Sequence, residues 1–195
     1  MPRGRERPRN ALLDDAILTA AERQLRERGF TGMSIESVAS SAGTTVPTLR
    51  RRYNDKLALA EAVIDSMRVE PLQATDGAPR ARALAILENF ARNLRRPDSM
   101  ALLGTLLAEE HRNAQLIGRF RTRLVAPRRA LLTAVVREAI VEGDLPPATD
   151  AEIIVNLLIG SFYARYVSRG SIPRNWAVRA LEQVWPLDAA RMHTR

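Results

Sequence analysis

Apolar residues recur every three or four positions through most of the chain, which is the spacing of helices that bury one face. No stretch alternates apolar and polar residues with the period of two that a half-buried strand requires, and no internal repeat is present. The least polar stretch runs from Ile153 to Ser168, and we expect this helix to be mostly buried. The pattern therefore predicts an all-α fold.

Start and stop residues divide this pattern into ten predicted helices. Asn10 can cap the first helix and Gly29 can end it. The second and third are predicted at Ser34–Ala42 and Thr45–Tyr53. The fourth is predicted from Lys56 to about Pro71, with Asp55 as its cap, and the fifth ends at Arg95. The sixth and seventh are predicted from Met100 to about Glu110 and around Ala114–Val125. The eighth is predicted from Pro127 to Gly143, the ninth from Ile153 to Ser168 behind a Thr149 and Glu152 capping box, and the tenth from Trp176 to Trp185.

The second and third helices form the most informative stretch, SIESVASSAGTTVPTLRRRYNDK, which runs from Ser34 to Lys56. Ser34 and Thr45 can cap the two helices, and Gly43 between them tolerates positive φ. Pro47 falls in the first turn of the third helix, where its missing N–H has no intrahelical partner. Two short helices joined by a tight turn, with arginines on the second, are typical of proteins that place one helix in the major groove of DNA.

The segment AGTTVPTLRRRYNDKLAL resembles the pattern of TetR-type repressors, in which an Ala-Gly turn leads to a Thr-Leu pair, an aromatic residue and a lysine that opens the next helix. The matching residues are Ala42, Gly43, Thr48, Leu49, Tyr53 and Lys56. Arg50 departs from the usual tyrosine, and Arg52 from the usual histidine or tyrosine. The resemblance implies an N-terminal three-helix helix-turn-helix domain followed by a C-terminal helical bundle, with a sequence specificity of its own.

The resemblance also implies which side chains face DNA. Arg50 is expected to contact a base, because its guanidinium matches the two acceptors of guanine. Glu36 lies near DNA in relatives, where it repels phosphate unless it accepts from cytosine or points away. The expected base-facing residues are Val46, Pro47, Thr48, Arg50 and Arg51, and the expected phosphate ligands are Ser34, Thr45, Arg52, Tyr53 and Lys56. The alternative is that the three arginines form a solvated face.

The net charge of +8 comes from 30 basic residues, of which Lys56 is the one lysine. Arginine binds phosphate through two parallel hydrogen bonds, so this excess favours a nucleic-acid partner. Residues 1–56 and residues 57–195 each carry a net charge of +4, so the excess can equally reflect the base composition of the genome. Cysteine is absent, which excludes disulfides and thiolate chemistry.

Three segments with different roles are predicted. Residues 1–9 place four arginines among proline, glycine and glutamate, which is typical of a disordered arm that either stays solvated or enters the minor groove. Residues 10–56 form the predicted helix-turn-helix DNA-binding domain. Residues 57–195 are expected, by the resemblance, to form a ligand-binding and dimerisation domain.

The resemblance further implies a homodimer that binds a palindromic double-stranded DNA operator, acts as a repressor and responds to a small-molecule effector. Broad apolar faces within residues 127–143 and 150–168 favour these two segments as the dimer interface. Gly160, Ser161 and Ala164 are small enough to let another backbone approach. The alternative for each candidate cavity residue is that it belongs to the ordinary core. The candidates to line a ligand cavity are Leu87, Phe90, Met100, Leu103, Leu107, Phe120 and Tyr163.

Enzyme chemistry finds no support in the sequence. His111 and His193 are the only histidines, and neither a GxSxG turn nor a phosphate-binding loop is present. No catalytic residue, cofactor or metal is therefore expected, and the run from Glu109 to His111 is predicted to be a surface turn. No apolar run is long enough to span a bilayer and nothing resembles a signal peptide, so we expect a cytoplasmic protein without a membrane partner.

Two rival hypotheses are also compatible with the sequence. One is a helical small-molecule-binding or scaffold protein of the same fold that does not bind specific DNA. The other is a hydrolase or metal enzyme that uses Glu110 and His111. DNA affinity that does not depend on sequence favours the first rival, and a bound metal favours the second.

Overall fold

The computed structural model describes residues 11–67 and 76–186, and the regular structure of these residues is helical, without a strand. The predicted all-α fold is confirmed. The helices are α1 (Ala11–Gly32), α2 (Ile35–Ser41), α3 (Val46–Arg50), α4 (Lys56–Ser66), α5 (Pro79–Leu94), α6 (Ser99–Ala108), α7 (Ala114–Phe120), α8 (Ala126–Glu142), α9 (Ala151–Arg169) and α10 (Trp176–Val184). A π-helical turn, Arg121–Val125, joins α7 to α8. The predicted arm at residues 1–9 and the Asn10 cap lie outside the described residues.

Side-chain caps and glycines set several of the helix ends. Asp55 caps α4, because its Oδ1 accepts from the backbone N–H of Ala58 at 2.7 Å. Gly143 ends α8 at a φ of 82°, a conformation that favours glycine. The cap predicted at Thr149 is wrong by one residue, since the Asp150 carboxylate accepts from the N–H groups that open α9. No helix in residues 11–67 and 76–186 has the length and apolarity to cross a membrane.

The chain forms two compact units, and the first falls within Met1–Arg68 and Asp98–Arg123. Helix α1 is central to this unit, because α2, α4 and α6 all pack against it. Helix α3 packs on α2, and α7 packs on α4. The fully buried apolar side chains of this unit include Ile17, Ala21, Leu25, Val38, Leu49, Leu59 and Val63.

The second unit falls within Val69–Pro97 and Leu124–Arg195 and contains α5, α8, α9 and α10. Helix α5 packs on α8 and α10, and α9 packs on the same two helices. An aromatic cluster fills its centre: the ring of Phe162 meets those of Phe90 and Trp176 edge to face, with centroids 5.2 and 5.1 Å apart. The indole Nε1 of Trp176 donates to Ser161 Oγ at 3.1 Å, so the cluster's polar edge is also satisfied.

The two units do not follow the predicted division of the chain at residue 56. That division is one of function, and it stays a prediction. By packing, α4, α6 and α7 belong to the same unit as the N-terminal helices, although the predicted division assigns them to the C-terminal domain. Periodicity shows that a helix has a face to bury, but it does not show which helix covers that face.

The prediction that α9 is mostly buried is wrong. Val155, Leu158 and Phe162 lie on its buried face. Leu157 is 53 % exposed and Val167 is 84 % exposed on the opposite face, so the helix is apolar on two sides and the second unit covers only one of them.

Candidate nucleic-acid interface

Helix α2 begins at a serine whose hydroxyl forms two hydrogen bonds. Ser34 is the N-cap, and its Oγ accepts from the backbone N–H of Ser37 at 3.2 Å. The same hydroxyl donates to a carboxylate oxygen of Glu36 at 3.0 Å. The predicted cap is confirmed, and the first turn of α2 is therefore ordered at the point where we expect a phosphate contact.

Gly43 ends α2 and turns the chain into α3. Its φ is 64°, its N–H donates to the Ser40 carbonyl at 3.2 Å, and the N–H of Thr44 donates to the Ala39 carbonyl at 2.9 Å. These two bonds are the helix-ending arrangement that usually requires glycine at the left-handed position. Apart from Gly43 itself and its two chain neighbours, no residue has an atom within 4 Å of the position that a Cβ would take, so it is backbone conformation rather than space that favours glycine here.

Helix α3 is held by a threonine pair. Thr45 is the N-cap: its Oγ1 accepts from the N–H of Thr48 at 3.4 Å and donates to Thr48 Oγ1 at 3.0 Å. Pro47 lies in the first turn, as predicted. Helix α3 is shorter than the predicted Thr45–Tyr53, because it ends at Arg50 and the chain then turns towards the Asp55 cap of α4.

Three consecutive arginines follow Leu49, which is fully buried and fixes the rotation of α3 on the unit. Arg50 and Arg51 are exposed, and a guanidinium nitrogen of Arg51 donates to Thr48 Oγ1 at 3.2 Å. Arg52 is different, since its Nη1 forms an ion pair with Asp14 of α1 at 2.8 Å and its side chain is 20 % exposed. Two guanidinium groups therefore face solvent, and the third ties α3 to α1.

Lys56 opens α4 with its ammonium group held in place. The Nζ atom donates to the Thr31 carbonyl at 3.1 Å and lies 4.7 Å from the centroid of the Phe30 ring. An ammonium group has three donors, so two remain for a further acceptor. This geometry is compatible with the predicted phosphate contact and limits the number of conformations that the side chain must lose to make it.

Glu36 is the acid on this surface. Hydrogen bonds from its own backbone N–H and from the Ser34 hydroxyl lower the pKa of Glu36, and the nearby Arg50 guanidinium adds to the effect. The carboxylate is therefore charged at neutral pH. It belongs to the same surface as Arg50, so it opposes phosphate there and stays available as an acceptor for a base amino group.

Gln24 belongs to this site, although it is not among the residues predicted from the sequence. It is buried in α1, where its amide oxygen accepts from the N–H of Ser34 at 3.2 Å and its amide nitrogen donates to Ser37 Oγ at 2.9 Å. Both bonds hold the start of α2. The available indication was its position, since Gln24 follows Ala20 and Ala21 at helical spacing and is therefore a polar residue on an apolar face.

The residues predicted to contact DNA all belong to one unit, between Ser34 and Lys56. Their contacts to DNA stay a prediction. The residues predicted to line a ligand cavity are divided: Leu87, Phe90 and Tyr163 lie in the second unit, and Met100, Leu103, Leu107 and Phe120 in the first. Phe90 and Tyr163 meet edge to face at 6.0 Å, Leu87 is fully buried, and Leu107 is 49 % exposed.

The turn after α6 does not assemble a metal site. Within residues 11–67 and 76–186 no group of three or more possible metal ligands comes together. Glu110 pairs with Arg121 at 2.6 Å, and His111 is exposed. The prediction of a surface turn is wrong for Glu109, which is only 6 % exposed and accepts hydrogen bonds from Thr31 and Asn113.

The sequence of this chain matches two protein-family descriptions, one in the N-terminal part and one in the C-terminal part of the chain. Residues 17–63 match the bacterial regulatory proteins of the tetR family. Residues 74–184 match the C-terminal domain described as tetracyclin repressor-like. Together the two matches cover most of the chain.

Individual proteins show the same similarity. The chain is 26% identical over 178 residues to YdeS of Bacillus subtilis, an uncharacterised HTH-type transcriptional regulator, and the match covers 91% of this chain and 89% of YdeS. The crystal structure of MexZ, a repressor responsible for antibiotic resistance in Pseudomonas aeruginosa, is similar with a TM-score of 0.70 at 22% identity over 93% of this chain and 96% of MexZ. A structure from Mesorhizobium loti, assigned to the TetR-family regulators, has a TM-score of 0.71 at 17% identity over 91% and 97% of the two chains.

Proposed function

The chain belongs to the TetR family of bacterial regulatory proteins and is a DNA-binding transcriptional regulator, and from this premise we propose that it is a homodimeric repressor. In this proposal the dimer binds a near-palindromic operator and releases it when a small molecule binds. A regulator of transcription works at the chromosome, which supports a cytoplasmic location.

The observation that carries the proposal is the arrangement of α3. Thr45 and Pro47 start this helix, and buried Leu49 orients it, so that Arg50 and Arg51 project into solvent. An exposed guanidinium on a fixed helix can meet guanine through two hydrogen bonds, whereas the ammonium group of Lys56 at the start of α4 offers a point charge that suits phosphate. The surface thus combines a candidate for base recognition with a candidate for positioning.

The exposed face of α9 supports a homodimer. Ile153, Leu157, Gly160, Ala164 and Val167 are spaced by three or four residues and lie opposite the buried face. The two small residues lie in the middle of the stripe, where they allow another backbone to approach closely. Leu131 and Val141 of α8, which packs on α9, are also exposed. A second copy related by a two-fold axis buries the same residues on both subunits at once.

A repressor role and a response to a ligand are supported by likeness. MexZ, whose fold is similar, is a repressor. The C-terminal match is named after the tetracycline repressor and covers residues 74–184. We therefore propose that the C-terminal part of the chain binds the effector.

The experiment is selection of bound sequences from a pool of random DNA duplexes by the purified full-length protein. We expect a near-palindrome with two half-sites about 10 base pairs apart, because a two-fold dimer presents its recognition helices one helical turn of DNA apart. Binding should weaken steeply with salt, because phosphate contacts displace counterions.

A double variant with Arg50→Ala and Arg51→Ala should lose the selected preference, and Arg179→Ala on the exposed surface of α10 is the matched control. A pool that stays random after repeated rounds, or an affinity that does not change with salt, contradicts the proposed function.

A further inference from the structure

Glu109 is the one buried ionisable side chain among the residues that the structure describes. A buried carboxylate is costly unless it is paired or well hydrogen-bonded, so its partners indicate its role. Thr31 Oγ1 donates to one of its oxygens at 3.0 Å, and Asn113 Nδ2 donates to the other at 2.7 Å. The carboxylate therefore joins the segment after α6 to the C-terminal end of α1, 78 residues away in the chain.

The end of α1 is the place where its backbone breaks. Gly29 has a φ of 71° and a ψ of 176°, and the turn that follows, through Phe30 and Thr31, does not continue the regular helix. The residues after Gly29 form a separate helical turn, which the N–H of Met33 closes by donating to the Gly29 carbonyl at 3.1 Å. The bond between Thr31 and Glu109 ties this turn to the segment after α6.

The same turn provides both contacts that hold the Lys56 ammonium. Thr31 gives its carbonyl oxygen, at 3.1 Å from Nζ, and Phe30 gives its ring face. Glu109 binds the hydroxyl of Thr31, and Lys56 binds the carbonyl of the same residue. A movement of this turn changes the position from which the ammonium group can reach a phosphate.

We propose that Glu109 is a positioning residue for the phosphate contact of Lys56, acting through Thr31. This inference rests on the proposed function, since it assumes that the first unit binds DNA. It assigns a role in DNA binding to a residue that is buried behind the interface and does not itself touch DNA.

The test measures how the affinity for a 30-base-pair duplex of mixed sequence depends on salt, using the full-length protein and fluorescence anisotropy. Each phosphate contact that is lost lowers the slope of log affinity against log salt by about 0.9. Glu109→Ala should weaken binding by about 3- to 10-fold. It should also lower the slope by about 0.9 per subunit, and Lys56→Ala should have the same effect on the slope. A variant that is merely less folded has a smaller active fraction but an unchanged slope.

Two further variants separate the hydrogen bond from folding. Thr31→Val lies at an exposed position and removes only the hydroxyl, and it should reproduce the effect of Glu109→Ala. Glu109→Gln keeps an acceptor for Thr31 and can pair with a rotated Asn113 amide, so it should retain the wild-type slope. Thr105→Val is the matched control, because it removes another bond between α6 and α1, that of Thr105 Oγ1 to the Leu25 carbonyl at 3.4 Å, without involving Thr31.

The double variant with Glu109→Ala and Lys56→Ala decides the outcome. We expect it to bind as Lys56→Ala does, within twofold, because the phosphate contact is already absent. Independent losses that multiply in the double variant, or a wild-type slope in Glu109→Ala, overturn the inference while the proposed function stands. A wild-type protein that does not bind the duplex overturns both.

Discussion

Arg50, Arg51 and Arg52 are consecutive in the chain, but the structure holds them in different ways. Arg52 is paired with Asp14 and partly buried, so removing it disturbs the packing of α1 before it changes any contact with DNA. Arg50 and Arg51 face solvent and lose little by turning to a new partner. The predicted phosphate role of Arg52 stays a prediction, and it competes with the Asp14 ion pair.

The first prediction separates base recognition from phosphate contact. Arg50→Ala should relax the preference at one base position in each half-site by about 1–3 kcal/mol, because a bidentate contact to guanine is lost. Lys56→Ala should weaken binding to all sequences alike, because phosphate is common to them. The measurement is the affinity of each variant for the selected operator and for single-base variants of it. Equal losses on every sequence for both variants contradict this division of roles.

At the scale of elements, an ion pair joins α7 to α4. Arg119 Nε donates to Asp65 Oδ1 at 2.9 Å, its Nη2 pairs with the other carboxylate oxygen, and Glu61 lies 3.9 Å from the same guanidinium. The hydrogen bonds from Arg119 lower the pKa of Asp65, and burial opposes this only in part. The contribution of this ion pair to the packing of α7 on α4 therefore depends on whether Asp65 is charged.

The second prediction concerns how this pair depends on pH. Because the pKa of Asp65 is lower in the folded chain, its contribution is fully present above the unfolded value and is lost as the pH falls through the lower folded value. Asp65→Asn should lower Tm by about 1–4 °C at pH 7, as expected for an exposed pair, and the difference from wild type should shrink towards pH 3. Thermal unfolding between pH 3 and pH 7 measures it, with Asp76→Asn as the exposed control. A difference that stays constant over this range contradicts the assignment.

The third prediction concerns the exposed face of α9. Ala164→Asp places a carboxylate in the middle of the apolar stripe, where a two-fold axis brings two copies together, so we expect monomers. A monomer holds one half-site only and should lose about 100- to 10,000-fold in operator affinity. Sedimentation velocity measures the oligomeric state, and Ala81→Asp on the exposed surface of α5 is the matched control. A dimer that survives Ala164→Asp moves the interface elsewhere.

Ser161, three residues before Ala164, is a poorer position for this test. Its hydroxyl accepts from Trp176 Nε1 at 3.1 Å and donates to the Leu158 carbonyl at 2.7 Å. A charge at Ser161 therefore disturbs the aromatic cluster of the second unit, and a loss of dimers could then follow from misfolding. The small side chains of α9 are similar in the sequence but belong to two different faces of the helix.

At the scale of the whole molecule, the proposed function requires that operator binding and ligand binding influence each other. The recognition helices of the dimer must lie about 34–36 Å apart to enter successive major grooves. A ligand that binds more tightly to a dimer whose recognition helices have a different separation lowers the affinity for the operator. Thermodynamic linkage then requires the operator to lower the affinity for the ligand by the same factor.

The fourth prediction is this reciprocity. For a ligand identified by its stabilisation of the protein against heat, operator DNA should reduce ligand affinity by about 5- to 150-fold, which corresponds to a coupling of 1–3 kcal/mol. Isothermal titration with and without the selected operator measures the factor, and a scrambled duplex of the same length is the control. Equal ligand affinity in the two titrations means that the ligand site is not coupled to DNA binding.

Features that depend on residues close together in the chain could be predicted. Ser34, Thr45 and Asp55 cap their helices as expected, because a cap bonds to an N–H only two or three residues away. The cap predicted at Thr149 lies at Asp150, so this prediction is wrong by a single residue. The all-α fold and the turn at Gly43 follow from the same local chemistry and from helical periodicity.

The partners of side chains far apart in the chain could not be predicted. Asp14 lies 38 residues from Arg52, Thr31 lies 25 residues from Lys56, and Glu109 lies 78 residues from Thr31. Each contact depends on how whole helices pack, and a periodic apolar face accepts many packings of similar energy.

By itself, then, the sequence determined which segments are helices, where several of them begin, and which residues form the candidate DNA-binding surface, because backbone hydrogen bonds and side-chain spacing act over a few residues. Only the tertiary structure decided that Arg52 is tied to α1, that α9 leaves an apolar face uncovered, and that a buried carboxylate supports the turn beside Lys56. These facts depend on which surfaces meet after the chain has folded.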